Sequence, residues 1–238
     1  MNLLQKLERE RMLTKEEWKT LIANQKKYQE EASVMARRIR EKQFGNRVFV
    51  RGLIEFTNYC KNDCYYCGIR RSNRNVDRYR LTVAQILECT DIGYELGFRT
   101  FVLQGGEDAY YTDERVIELL ESIKTRHPDC AITLSIGEKS RESYEAFYRA
   151  GADRYLLRHE TADRGHYELL HPPEMSFEHR RNCLRELKEI GYQVGCGFMV
   201  GSPGQSEETL AEDMLFIQEL QPHMVLSLIH ISEPTRPL

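Results

Sequence analysis

Cys60, Cys64 and Cys67 fall within eight positions of the stretch FTNYCKNDCYYCGIR, residues 56 to 70. Three thiols at this spacing form a metal-binding pattern. Zinc would normally be closed by a fourth nearby Cys or His. No histidine lies between Cys67 and His127, and the next cysteine, Cys89, falls in the middle of a helical stretch. Cysteine thiolates are the usual ligands of iron–sulfur clusters. Three of them on a four-iron cube leave one iron open to bind something else. Ligand preference therefore puts an iron–sulfur cluster ahead of zinc, and zinc ahead of no metal.

A second group, Gly105-Gly106-Glu107-Asp108, follows the apolar run TFVLQ at 100–104. Two glycines let backbone approach a ligand closely, and a carboxylate beside them can accept hydrogen bonds from an ammonium group. The bland alternative is an ordinary strand-to-helix turn. Side chains two apart on a strand share a face. Arg51, Leu53 and Glu55 share one, Thr133 and Ser135 another, and Arg158 and Glu160 a third. If these faces point into a barrel, its interior holds Arg51, Thr133 and Arg158. Buried charges are rare unless paired. Two arginines there suit a substrate with carboxylate or similar anionic groups. The alternative is pairing with internal acids such as Glu55 or Glu160. In GFMVGSPGQS (197–206), the glycines and Pro203 suit a flat ligand lying against backbone and Met199, or else a tight turn with Ser206 as a helix N-cap. His159 reads more readily as a satisfied structural histidine than as a base. Cys89, Cys130, Cys183 and Cys196 read as buried apolar residues.

The elements that must position these groups alternate along the chain. Residues 3–42 are charged with recurring apolar positions and read as two or three helices. Strands are expected at 48–56, 100–104, 131–137, 154–158, 192–201 and 223–229, and helices at 81–97, 113–125, 141–151, 177–191 and 206–220. Thr82 with Gln85 makes a capping-box start, and Gly97 stands where a C-cap glycine would. About six short strand–helix units argue an α/β fold with a parallel sheet and right-handed crossovers. An open doubly wound sheet and a partial TIM-type (β/α) barrel both satisfy the pattern. The barrel is favoured because the polar and glycine-rich segments follow strands, where barrels place their active sites. The domains expected are a helical extension over 1–45, a barrel core over 46–225, and a tail over 226–238.

Composition narrows the class. Lys plus Arg total 34 against 37 for Asp plus Glu, a net charge of -3. Nothing in that balance calls for nucleic acid or an anionic membrane as partner. The charged start lacks a signal-peptide core, and no apolar run nears the ~18 residues of a membrane span, so the expected location is cytoplasmic. Seven cysteines with three crowded together point to metal or catalysis in a reducing compartment, not to disulfides.

Cys-x3-Cys-x-aromatic-Cys after the first strand, with Tyr66 in the aromatic place, resembles the radical S-adenosylmethionine (SAM) superfamily. The set IEFTNYCKNDCYYCGIRR, LQGGED, ITLSIGE, DRYLLRHETAD, SFEHRRNCL and GFMVGSPGQ resembles, over about residues 45–225, its [FeFe]-hydrogenase maturase family, related to biotin synthase. The resemblance implies an anaerobic enzyme. Its [4Fe-4S] cluster binds SAM at the open iron and cleaves it reductively to a 5′-deoxyadenosyl radical. It implies Cys60, Cys64 and Cys67 as cluster ligands. Tyr66, Gly105, Gly106, Glu107, Ser135, Glu160, Arg180 and Met199 would stand about SAM, with Glu107 receiving its amino group, Glu160 holding ribose hydroxyls, Arg180 meeting the carboxylate and Met199 lying by adenine. Arg51, Gln104, Thr133 and Arg158 would line the substrate cavity; no catalytic residue is assigned. The implied role is assembly of the hydrogenase H-cluster on an anionic organometallic or small-molecule substrate, with a reductant protein such as ferredoxin or flavodoxin, and other hydrogenase maturases, as partners. Methylornithine synthase and biotin synthase-like activities are the alternatives within the superfamily, and a non-catalytic zinc module is the alternative outside it. The family's barrel has eight units and runs about a hundred residues further. LSLIHISEPTRPL does not resemble its sixth strand and loop. Residues 226–238 are therefore expected to be non-native, with the last barrel strands missing.

Overall fold

The computed structural model describes residues 2–226 and 228–229. Three helices come first, α1 (Leu3–Glu10), α2 (Lys15–Ala23) and α3 (Gln25–Phe44). The alternating part follows as β1 (Gly52–Thr57), α4 (Val83–Glu95), β2 (Thr100–Gly105), α5 (Asp113–Arg126), β3 (Ala131–Ser135), α6 (Arg141–Arg149) and β4 (Arg154–Leu156). It continues with α7 (Arg164–Leu170), α8 (Phe177–Ile190), β5 (Gln193–Cys196), β6 (Met199–Val200), α9 (Glu207–Leu220), β7 (Met224–Val225) and β8 (Leu228–Ile229).

Strand order decides between the two α/β architectures. The main sheet runs β1-β2-β3-β4-β5-β7, every neighbour parallel. Each crossover steps one place in the same direction. A doubly wound sheet reverses that order part-way, so this is the barrel-type winding. Two periodicities make the layers. Ile54, Phe56, Phe101, Leu103, Ile132, Leu134, Tyr155 and Val194 alternate onto the helix-facing side and are buried there. They meet Leu120 and Ile123 of α5, Phe147 of α6, and Leu184 and Leu187 of α8 in one core. Burying each such side chain stabilises by about 1.5–3 kcal/mol. The opposite, concave face carries the intervening residues, and β1 aligns with β2 so that Leu53 sits beside Val102 and Glu55 beside Gln104.

The N-terminal helices dock on the outside. Leu13 and Trp18 bury against Ala211 of α9. Trp18 Nε1 and the Leu13 amide both donate to Gln218 Oε1, at 2.7 and 2.8 Å. Lys19 pairs with Glu208 at 2.9 Å, Lys15 with Glu212 at 2.5 Å and also with Glu208.

Local signals act as expected at Thr82, whose capping box with Gln85 is complete, at Gly97 (φ 93°) after α4, and at Ser206, the N-cap of α9. Several boundaries differ; β3 and β4 end two residues earlier than expected. β1 begins at Gly52, and Val48, Phe49 and Val50 are exposed outside the sheet. The stretch expected as one strand at 192–201 is two, β5 and β6. Backbone of Glu160 inserts at the break: its N–H donates to Gly197 O (3.1 Å) and its carbonyl accepts from Met199 N (3.0 Å). Helix α7 was not expected at all; Asp163 caps it by accepting from the His166 amide, and two prolines follow it at 172–173. At the end, β7 and β8 occupy part of the expected sixth strand, and β8 pairs in parallel with β6. Ser227 and residues 230–238, most of the expected tail, lie outside the described residues.

Candidate cofactor site

The loop between β1 and α4 carries the three cysteines at the C-terminal end of the first strand. It has no regular structure, so its backbone groups need other partners. One side chain supplies four of them. Arg78 donates to the carbonyls of Ile69 (2.9 Å), Arg70 (2.7 Å) and Asn73 (3.1 Å), and to that of Asn58. Asn58 closes the loop base by donating to Asp77 O at 2.7 Å and accepting from the Tyr79 amide at 2.8 Å. The Cys67 amide donates to Cys64 O at 3.0 Å, turning the chain between two of the thiols. All three cysteines are half-buried and unbridged. Burial raises the Cys60 thiol and pushes Cys64 up to about 12. Without a cation these groups hold their protons, which metal binding displaces. Among the described residues no three His, Cys, Asp or Glu side chains converge as a single ion requires. Thiolates that each hold a different iron need not converge.

The β2 loop is built onto this one. The Lys61 amide donates to Glu107 O at 2.9 Å, and the Glu107 amide points at Cys60 Sγ at 3.4 Å. A Cβ on Gly106 would stand 2.2 Å from Tyr59 O, so glycine is required for the two loops to touch. The close backbone approach foreseen for a ligand is here an approach to the cysteine loop. Glu107 lies across Gly137 (φ 80°), whose Cβ would meet it at 2.1 Å. Its Oε1 accepts from the Glu138 amide at 3.0 Å, and its buried Oε2 faces Lys61 Nζ at 3.1 Å without hydrogen-bond alignment. Asp108 points elsewhere: Thr57 and Arg80 donate to it at 2.6–2.9 Å. Burial would raise its carboxyl, but those bonds hold it below its ordinary range.

Arg180 enters from α8. It is 7% exposed, and its Nε lies 2.5 Å from Glu138 Oε1. Burial would lower the guanidinium, yet the Glu138 carboxylate keeps it charged. Its charge also acts on the Cys64 thiol and on Tyr66. Tyr66 shares a 3.1 Å hydrogen bond with His171 Nε2, and burial above all pushes its phenol up. Burial likewise drives His171 down to about 4. Glu160 is buried with φ 65°, a left-handed conformation that costs a non-glycine residue about 1–2 kcal/mol. Its Oε1 stands 3.3 Å from Arg158 Nε, the internal pairing allowed for from sequence, and its Oε2 has no partner. Met199 is buried beside this backbone.

Residues 54–217 match the Radical SAM superfamily. The chain belongs to that superfamily. Over 237 residues it is 44% identical to the [FeFe] hydrogenase maturase subunit HydE of Thermotoga maritima, covering 99% of this chain and 67% of that protein. It is 32% identical over 206 residues to the 3-methylornithine synthase of Methanosarcina acetivorans, covering 86% of this chain and 58% of that one. The crystal structure of methylornithine synthase superposes with a TM-score of 0.78 at 30% identity, covering 96% of this chain and 63% of that one. The chain thus spans about three fifths to two thirds of these relatives. Radical SAM proteins are enzymes whose cofactors are a [4Fe-4S] cluster and SAM, and these are the cofactors of this chain's family. The residues present fit that pair. Three thiols are available, and around them buried oxygens of Glu107, Glu160 and Tyr167 lack hydrogen-bond partners.

Of the other expected radical SAM site residues, Gln104 donates to Glu55 Oε1 at 2.9 Å, with Ser135 beside it in the register, and Thr133 is buried one layer down. Arg158 joins them through its pair with Glu160. Arg51 does not. It precedes β1 at the opposite end of the strands, exposed, where its charge helps burial depress Arg154. His159 is not at the mouth: it is fully buried 3.2 Å from Asp213. Cys89 is exposed, unlike Cys130, Cys183 and Cys196. Sequence reasoning missed Glu138, Tyr167, His171 and Asp213. A signal existed for two of them. Glu138 follows a strand end, and Asp213 lies on the buried stripe of α9 with Thr209, Phe216 and Leu220. Tyr167 and His171 belong to the unforeseen α7 segment.

Among the described residues no helix is long and apolar enough to cross a membrane.

Proposed function

We propose that this chain is a radical SAM enzyme acting in assembly of the [FeFe]-hydrogenase H-cluster, in the cytoplasm, on an anionic organometallic or small-molecule substrate. The observation that carries the reading is the cluster of unpartnered buried oxygens and one buried cation around three thiols. The 44% identity to a hydrogenase maturase subunit supports the pathway. When bound, the cluster and SAM supply one-electron cleavage of a carbon–sulfur bond.

Cys60, Cys64 and Cys67 hold the cluster. Glu107, fixed by the Glu138 amide, would accept the SAM ammonium on Oε2, the oxygen that faces Lys61. Arg180 would meet the SAM carboxylate with its charge. Glu160 accepts from ribose hydroxyls; Tyr66, Ser135, Met199 and the Gly105-Gly106 backbone shape the remaining walls. Gln104, Thr133 and Arg158 face substrate on the concave side. Residues 1–45 serve as a docked extension and 46–225 as the catalytic core, with 226–238 outside it. Other hydrogenase maturases and a ferredoxin- or flavodoxin-type reductant are its partners.

Anaerobic reconstitution with iron and sulfide tests this. The chain turns brown, and once reduced with dithionite it releases 5′-deoxyadenosine from SAM; Cys64→Ala loses both signals. A colourless protein that binds zinc and leaves SAM intact would sink the assignment. Restoration of hydrogenase activity in a maturation assay separates the H-cluster role from 3-methylornithine formation, the outcome that would favour the second relative.

A further inference from the structure

The cysteine loop carries a surplus of positive charge. Residues 61–80 hold Lys61, Arg70, Arg71, Arg74, Arg78 and Arg80 against only Asp63 and Asp77, in a chain whose net charge is -3. The fold divides the six. Arg78 is committed to four backbone carbonyls, Arg80 to Asp108 at 2.6 Å, and Lys61 to Glu107 at 3.1 Å. Arg70, Arg71 and Arg74 make no ion pair with any other described residue, and Arg71 and Arg74 are exposed. They do not stand on a floppy segment. The Arg71 amide donates to Asn62 O at 2.9 Å, the Asn73 amide to Arg70 O at 3.1 Å, and Arg78 grips the carbonyls on both sides. Arg70 itself donates to Cys67 O at 3.2 Å. Two exposed cations, Arg71 and Arg74, and the half-buried Arg70 are thus carried on held backbone beside the thiols, with Asp63 the acid near Arg70 and Arg71.

A surface of one charge sign beside a redox centre steers an oppositely charged partner to it. Nucleic acid fits less well. It takes many cations spread along a groove, whereas these are confined to one loop of an acidic chain. We propose that Arg70, Arg71 and Arg74 form the docking surface for an acidic one-electron donor protein. The inference rests on the radical SAM reading. One electron leaves the donor's flavin or iron–sulfur centre and enters the cluster at the cysteine loop; no proton or group moves. Docking there makes the path short, because Arg70 touches the Cys67 backbone.

The test uses the full reconstituted chain and two reductants: an acidic flavodoxin hydroquinone and photoreduced deazariboflavin, a neutral small molecule. Arg71→Glu/Arg74→Glu leaves the Arg70 contact in place. Its second-order rate of reduction by flavodoxin, followed by bleaching of the cluster absorbance, is expected to fall about tenfold or more at low ionic strength. The gap should close as salt approaches about 1 M, where screening acts within ~3 Å. Reduction by deazariboflavin should match the parent. Equal flavodoxin rates in both proteins would overturn the proposal. So would equal losses with both reductants, which would mean that the arginines act on the loop rather than on docking. Tighter, arginine-dependent binding of a duplex RNA than of flavodoxin would overturn it too. Failure of the parent to cleave SAM with deazariboflavin would instead strike the underlying enzymatic reading.

Discussion

The two walls of the site are held by opposite means. On the β1–β2 side, the cysteine loop and Glu107 are fixed by backbone: carbonyls gathered on Arg78, amides traded between residues 61 and 107, and glycines where chains touch. On the β4–α9 side, the backbone beside Glu160 is held by buried polar side chains, and burial raises the Asp213 carboxyl above its ordinary range. His159 and Asp213 face each other at 3.2 Å with no exposure, Asp213 Oδ1 accepts from the Ala162 amide at 2.6 Å, and Asp213 Oδ2 has no partner. Between these groups Glu160 sits in a left-handed conformation. The first wall is relaxed and closely packed. The second stores strain that a distant helix must resist.

The largest effect should come from the strained wall. Removing Asp213 strands two buried groups, the Ala162 amide and the His159 ring, at about 1–3 kcal/mol each. Asp213→Ala should therefore lose stability of that order in urea denaturation of the metal-free protein. Weaker SAM binding should accompany it in the reconstituted one. A loss under about 1 kcal/mol would mean that the pair does not hold this wall and that the contrast with the glycine-built side is false.

Between the walls lies the α7 connection, whose His171 is 2% exposed and bonded to Tyr66 at 3.1 Å. Burial lowers its folded value to about 4 from an ordinary 6.5. Between those values the unfolded chain binds the proton and the folded one does not. Stability is therefore fully present above about 6.5 and falls as pH drops towards about 4, by about 3 kcal/mol in all. His171→Gln should flatten the stability curve of the metal-free protein across that window. An unchanged slope would place the acid sensitivity elsewhere.

On the relaxed wall the probe is Gly106→Ala. Its Cβ would meet Tyr59 O at 2.2 Å, a backbone atom that cannot swing aside. Overpacking of this kind costs about 1–3 kcal/mol. The expected readout is a stability loss of about 2 kcal/mol together with less iron bound per chain after reconstitution. Normal iron content would show that the two loops position themselves independently.

These walls also differ in how far they can be read from sequence. Cys60, Cys64, Cys67 and the GGE turn stand out in the sequence because their residue types and spacing are local and each group follows a strand end, although their contacts span 31 to 47 positions. Barrel winding was legible from alternation and the placement of polar turns, though only strand order excludes the doubly wound sheet. The strained wall was opaque for a physical reason. Asp213 acts on a backbone 51 positions away, at Ala162; its place on the buried stripe of α9 marks it as inward-facing, but nothing local says what it meets. Glu138 likewise meets Arg180 of α8 only after two intervening helices, α6 and α7, have packed. The split of β5 from β6 depends on a foreign backbone, that of Glu160, entering the ladder, and no local propensity records that. Arg51 shows the reverse error. Alternation with Leu53 and Glu55 presumes that the strand includes Arg51, whereas β1 begins at Gly52 and leaves it outside.

The smallest predicted effect has the opposite sign and separates the two designs most cleanly. Glu160→Gly removes a left-handed penalty of about 1–2 kcal/mol. Glycine returns about 0.5–1 kcal/mol of that through greater backbone entropy in the unfolded chain. The lost pair with half-buried Arg158 matters little, since partly exposed pairs contribute about 0–1 kcal/mol. The metal-free variant should thus be more stable than the parent by about 0.5 kcal/mol while the reconstituted one binds SAM more weakly. Combined with Asp213→Ala, it should also recover part of that variant's stability loss, because less strain is left for His159 and Asp213 to hold. Strict additivity would show instead that Glu160 rests in its left-handed well without help from α9.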